Sequence, residues 1–156
     1  MADGLRSARL LALAAPALLL AGAYVSQYGF GLYPCEMCWW QRYAHFAALP
    51  FALLAFALPG RRWPIALAAL AVLVSGLIGL YHAGVEYRWW EGFTSCTSEV
   101  SFKAGQNPLD AIMGAPTIRC DEVQWSIFGV SLAGFNFLFS TAAALIVFAL
   151  LRRRPA

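Results

Sequence analysis

The chain has 156 residues, of which 61% are apolar types and only 12% are charged. Soluble domains hold roughly 45–50% and 25% of these classes, so a soluble globular domain and a disordered chain are both excluded as first readings. The net charge of +3 is scattered along the chain and gives no nucleic-acid footprint.

Four stretches carry no Asp, Glu, Lys or Arg: Leu10–Cys35, Tyr43–Gly60, Trp63–Val85 and Val123–Leu151. Each fits one helical crossing of a hydrocarbon core about 30 Å thick, and none fits two. Each must be helical, because an isolated strand or loop would leave backbone groups unpaired in lipid. The expected fold is an all-α membrane protein, a four-transmembrane-helix bundle forming one integral domain over residues 1–156. Its spans are expected at about 10–32, 39–58, 65–84 and 127–151, with a long outer loop at about 85–126.

The first span opens with Arg6 and Arg9, and its apolar run leads to Ala21-Gly22-Ala23, which resembles a cleavable signal peptide. The uncharged stretch continues to Cys35, and a retained span accounts for its whole length. Pro16 and Pro50 fall inside spans one and two and are expected to kink them. Ser75, Gly76 and Gly79 in span three read as small residues permitting close helix packing. Gly129, Ser131, Gly134 and Ser140 in span four read the same way. In the outer segment, Glu91–Lys103 reads as loop, and Leu109–Met113 as one or two helical turns lying on the membrane surface.

Four spans put both termini and the Gly60–Pro64 turn on one side. That side carries Arg6, Arg9, Arg61, Arg62, Arg152, Arg153 and Arg154 against one acid, Asp3. The other side carries Arg42, Arg88, Lys103 and Arg119 against all the remaining acids. The positive-inside rule therefore makes both termini cytoplasmic. Trp39, Trp40, Trp89, Trp90 and Trp125 then fall at outer span ends and Trp63 at an inner end, as in an aromatic belt.

All four cysteines, Cys35, Cys38, Cys96 and Cys120, fall on the outer side. A periplasmic compartment lets disulfides persist. Four cysteines allow three pairings, and sequence alone does not choose among them. Spacing separates a C-x-x-C, Cys35 and Cys38, from two cysteines of the long loop. Structural zinc usually wants two close pairs, which Cys96 and Cys120 do not form, and no metal site is expected. Haem attachment needs His where Trp39 stands. A purely structural bridge remains a reasonable reading of the loop cysteines, worth about 3 kcal/mol. It is weaker for the C-x-x-C, which constrains little chain and more often marks exchange chemistry.

Cys38 sits at the expected outer start of the second helix, where the helix dipole lowers a thiol pKa. Arg42 lies one turn further along the same face. It reads either as an interfacial anchor or as the cation that favours a Cys38 thiolate, and the neighbouring cysteine favours the second. Gln41 and His45 lie nearby, and His45 reads equally well as an interhelical hydrogen-bonder. His82 and Glu86, four apart at the outer end of span three, can orient each other, and His82 is a candidate ligand contact.

These residues resemble the disulfide bond formation protein B (DsbB) family of bacterial inner membranes. The match lies in Cys35-Glu36-Met37-Cys38-Trp39-Trp40-Gln41-Arg42, Tyr81-His82-Ala83-Gly84-Val85-Glu86, Thr94-Ser95-Cys96, and Cys120-Asp121-Glu122 with Trp125 and Phe128-Gly129. The order of elements, C-x-x-C before span two and loop cysteines between spans three and four, separates it from vitamin K epoxide reductase-like proteins. The resemblance implies a membrane thiol oxidoreductase that reoxidises a periplasmic thioredoxin-fold oxidant of the DsbA type. It implies redox pairs Cys35–Cys38 and Cys96–Cys120, and ubiquinone or menaquinone held by Arg42 and His82 as electron acceptor. A DsbA-type partner already sits at about −120 mV, so a downhill acceptor is needed and a cysteine-only relay does not supply one. Two rivals are a quinone-independent thiol conduit, which predicts cysteines within spans or on the inner side, and a scaffold with two structural disulfides.

Overall fold

The computed structural model describes residues 2–92, 97–98, 107, 109, 113 and 117–152. Four long helices carry the structure: α1 (Ala2–Phe30), α2 (Glu36–Ala57), α3 (Trp63–Glu86) and α4 (Leu132–Arg152). Two short antiparallel ribbons lie between α3 and α4. β1 (Thr97–Ser98) pairs with β2 (Thr117–Ile118), and β3 (Ser126–Ile127) pairs with β4 (Val130–Ser131). Helices α1, α3 and α4 are long and apolar enough to cross a membrane. Helix α2 is of similar length but carries Glu36, Gln41, Arg42 and His45 in its first half. The expected surface turns at Leu109–Met113 fall largely outside the described residues.

Each helix ends where local chemistry stops it. Gly31, at φ 68°, turns the chain out of α1, and Leu32 N–H bonds back to the Ser26 carbonyl at 3.1 Å. Cys35 is the N-cap of α2, its sulfur accepting the Cys38 N–H at 3.4 Å. Gly60, at φ 93°, makes the tight turn to α3, whose first turn holds Pro64. Ser131 caps α4, its hydroxyl accepting the Gly134 N–H at 3.1 Å. Both α1 and α2 run on as helix through Pro16 and Pro50.

The fourth helix starts at Leu132, later than the expected 127. The cause is the β3–β4 hairpin, in which Phe128 (φ 51°) and Gly129 (φ 76°) form a left-handed turn. Tyr87 fastens that hairpin to the end of α3. Its hydroxyl donates to Gly129 O and accepts from Ser131 N–H, both at 2.8 Å.

Around the bundle, α3 packs chiefly on α2 and α4, and α1 leans on α4 and α2. One end is closed by small residues: Ala8, Ala12, Ala52, Ala55, Ala68 and Ala69 pack with Ile65 and Val147. Here too Arg62 donates to the Leu151 carbonyl at 3.1 Å, a cation at a helix C-terminus. The opposite end holds Cys35, Met37, Val85, Ile118 and Cys120 in one buried cluster. Large apolar side chains such as Val25, Leu53, Leu77 and Leu145 face outward.

At Gly79 the backbones of α3 and α4 approach closely. A Cβ there would meet the Ala133 carbonyl oxygen at 2.9 Å and the Phe137 nitrogen at 3.0 Å, both backbone. Gly79→Ala is expected to lower the thermal unfolding midpoint in detergent, at a cost of about 1–3 kcal/mol. Gly22→Ala, with nothing within 4 Å, is expected to leave the midpoint unchanged or raised.

Candidate functional site

The cysteine end of the bundle is built on the first turn of α2. Extended backbone at Cys35 (φ −78°, ψ 177°) turns its side chain back over the helix N-terminus. Cys35 Sγ and Cys38 Sγ lie 3.3 Å apart as free thiols, with Cys35 donating. Cys35 is fully buried, whereas Cys38 is partly open. From α3, His82 brings its Nε2 to 3.5 Å from Cys35 Sγ and 3.8 Å from Glu86 Oε1. Glu86 Oε2 is buried without a hydrogen-bond partner among the described residues. The expected pairing of His82 with Glu86 is thus present, and both face the cysteines.

Cys120 joins this group from the outer segment. It is buried in the same cluster as Cys35, Met37 and Val85. Cys96 lies outside the described residues. The β1–β2 ladder pairs Thr97, which follows Cys96, with Ile118, which shortly precedes Cys120. Beside Cys120, Arg119 grips the Asp121 carboxylate at 2.9 and 2.6 Å. These hydrogen bonds hold the Asp121 carboxyl below the ordinary aspartate range. Both side chains are over two-fifths exposed, so the pair adds little stability.

Arg42 takes a direction that sequence did not foresee. It is only 6% exposed, and its hydrogen bonds run to α1: Nη1 to Gln27 Oε1 at 2.6 Å and Nη2 to the Ala23 carbonyl at 3.2 Å. Its guanidinium also lies 5.0 Å from the ring centres of Tyr24 and Trp39. These contacts fix the cation on the wall of a cavity of about 290 Å³ that Cys35, Cys38, His82 and Glu86 also line. Leu18, Leu19, Leu20 and Gly22 of α1 and Leu132, Phe135 and Phe139 of α4 give it apolar wall, and Arg119, Glu122 and Gln124 of the outer segment also line it.

Behind the cysteines lies a polar network that sequence largely missed. Asn136 of α4 donates to Gln41 Oε1 at 2.8 Å, and to the Ser75 carbonyl and hydroxyl at 3.1 Å each. Its own Oδ1 accepts from Ser140 at 2.9 Å and meets His45 Nε2 at 2.9 Å. Ser75 also donates to the Gln41 carbonyl at 3.0 Å and meets His45 Nε2 at 2.9 Å. Gln41 contacts His82 Nδ1 at 3.0 Å. Ser75 and Ser140 are thus hydrogen-bonding groups as well as small ones. His45 is the interhelical hydrogen-bonder that one reading of the sequence allowed. Asn136 stood alone in an apolar run, and only its polarity hinted at a role.

The sequence profile of the family described as "Disulfide bond formation protein DsbB" matches residues 5–150. The chain belongs to the DsbB family. Curated relatives named "Disulfide bond formation protein B" agree. One from Verminephrobacter eiseniae (strain EF01-2) is 33% identical, over 92% of this chain and 84% of the relative. One from Aromatoleum aromaticum (strain DSM 19018 / LMG 30748 / EbN1) is 34% identical, over 88% and 86%. One from Polaromonas sp. (strain JS666 / ATCC BAA-500) is 31% identical, over 92% and 88%. No solved structure matches. DsbB membership makes this an all-helical membrane protein of disulfide bond formation.

Asn136→Leu removes donors to Gln41 and Ser75 and the acceptor for Ser140 and His45. Buried groups left unpaired cost about 1–3 kcal/mol. The variant is expected to show a lowered unfolding midpoint in detergent. Ser26→Ala, which loses only an exposed bond to the Gly22 carbonyl, is expected to match wild type.

Proposed function

We propose that this DsbB-family protein reoxidises a DsbA-type dithiol oxidant and passes the electrons to a membrane quinone. It acts as a protein-dithiol:quinone oxidoreductase, in a bacterial inner membrane, with four crossings, cytoplasmic termini and periplasmic cysteines. The observation that carries the reading is one cavity lined jointly by the C-x-x-C, Arg42 and His82, with apolar residues of α1 and α4 making up much of the remaining wall. Concave apolar sites with a few convergent polar groups suit such ligands.

The chain's own residues account for the thiol steps. A thiolate of the partner attacks the Cys96–Cys120 disulfide at Cys96, forming a mixed disulfide and releasing Cys120. Burial of Cys120 in one cluster with Cys35 supports the next exchange, in which Cys120 attacks Cys35 of the Cys35–Cys38 disulfide and releases Cys38 as thiolate. The partner's second thiol then closes its own disulfide and frees Cys96. Cys96 re-forms its bond with Cys120 and leaves Cys35 and Cys38 reduced.

Ubiquinone or menaquinone fits the cavity in character, with polar groups including Cys38, Arg42 and His82 and an apolar wall from Leu18–Leu20 of α1 and Leu132, Phe135 and Phe139 of α4. When bound, it supplies the acceptor for the two electrons and two protons that leave as Cys35 and Cys38 close their disulfide. Arg42, held by Gln27 and Ala23, keeps a fixed cation among those polar groups without needing an acid partner. The helix N-terminus under Cys38 and the Cys35 thiol donor both favour negative charge on its sulfur.

The test is quinol formation by purified protein in detergent, supplied with a reduced DsbA-type partner. Wild type is expected to form quinol in a partner-dependent way, and Cys38→Ser to form none. Arg42→Ala is expected to need about tenfold more quinone, the worth of one charged hydrogen bond. Absence of quinol from folded wild type, with both quinone types and several such partners, would overturn the reading in favour of a scaffold.

A further inference from the structure

The contacts that join Asn136, Gln41 and His82 behind the cysteines have one direction, and backbone carbonyls set it. A carbonyl oxygen only accepts, so the amide atom facing it must be a nitrogen. Asn136 presents one amide end to the Ser75 carbonyl at 3.1 Å, which makes that end Nδ2. Gln41 presents one end to the Met37 carbonyl at 3.1 Å, which makes that end Nε2. The same Gln41 Nε2 lies 3.0 Å from His82 Nδ1, so Nδ1 must accept and carries no proton. Neutral His82 then bears its proton on Nε2, the atom 3.5 Å from Cys35 Sγ.

The cysteines fit the same arrangement. With the Cys35 S–H directed to Cys38 Sγ at 3.3 Å, the Cys35 sulfur accepts from His82 Nε2–H. One line of donors results: Asn136 to Gln41, Gln41 to His82, His82 to Cys35, and Cys35 to Cys38. Bonds aligned in series polarise one another, and here the positive ends all face the sulfurs.

We propose that Gln41 is a positioning residue that holds His82 as the Nε2–H tautomer and so aims a hydrogen-bond donor at Cys35. This deepens the redox reading of the Cys35–Cys38 pair and rests on it. His82 thereby steadies Cys35 whenever its sulfur bears negative charge. It also bears on metals. The ligand atoms of Cys35, Cys38 and His82 lie within 4.8 Å of one another, a spacing that suits a thiophilic cation. Ligation through Nε2 needs that nitrogen's lone pair and a proton on Nδ1, for which Gln41 Nε2 offers no acceptor. Gln41 therefore disfavours metal capture by the dithiol as well.

The test is ¹⁵N imidazole NMR on the reduced full chain in detergent, without quinone or partner. The chain has only two histidines, so a His45→Asn variant assigns the His82 ring. Wild-type His82 is expected to show a protonated Nε2 and a bare Nδ1. Gln41→Glu, which turns the donor into an acceptor, is expected to move a proton onto Nδ1. In a Cys96→Ser, Cys120→Ser background it is also expected to tighten Zn²⁺ binding by about tenfold or more, read by chelator competition. A proton on Nδ1 in wild type would overturn the proposal, and that spectrum decides even where Gln41→Glu does not fold. A Gln41→Glu chain with both the tautomer and the zinc affinity of wild type would overturn it too. Failure of quinol formation with the expected tautomer in place would count against the redox reading instead.

Discussion

Lipid offers no hydrogen-bond partner, so every polar side chain drawn between helices must find one within the protein. Asn136 is where this constraint is met. Its amide reaches Gln41 and His45 on α2 and Ser75 on α3 while standing on α4. Three helices thus share one set of bonds, and a shift in their register would break several at once. That network lies directly beneath the C-x-x-C turn and joins His82 through Gln41. The position of the imidazole beside Cys35 depends on it.

The bundle divides its tasks along its length. At the arginine-rich end, alanines let the helices close on one another. At the cysteine end the helices leave a cavity, and the polar groups on its wall are anchored elsewhere. Arg42 is the clearest case. A guanidinium that is 6% exposed is tolerated because Gln27, the Ala23 carbonyl and two aromatic rings surround it. Its charge is held in place by α1, so α1 contributes to the site although it carries no cysteine.

Charge-free stretches marked the helices well because lipid excludes ionised side chains. The same signal erred at the fourth helix, where Val123–Leu151 is uncharged but its first part folds as a hairpin. A glycine preceded by an aromatic residue does not announce a left-handed turn. Spacing pairs Cys38 with Arg42 and His82 with Glu86, but the convergence of Cys35, Cys38 and His82 across two helices is seen only in the structure. The turn of Arg42 towards α1 is likewise seen only there, because a helix position defines a face and leaves the end of a long side chain undetermined. Size alone marks Ser75 and Ser140 in the sequence, and no neighbouring pattern marks Asn136. Hydrogen bonds between distant helices leave no periodic trace in sequence.

The cavity at the cysteine end is the proposed seat of a quinone head group. The most direct measurement is photolabelling of the full chain in lipid nanodiscs with a photoreactive quinone, with labelled residues mapped by mass spectrometry. The account predicts labels concentrated on the facing walls of α1 and α4 and on the first turns of α2, around Leu18–Ala23, Cys38–Arg42 and Leu132–Phe139. Unlabelled ubiquinone should compete them away. Labels spread over the lipid-facing side chains of α3, without competition, would contradict it.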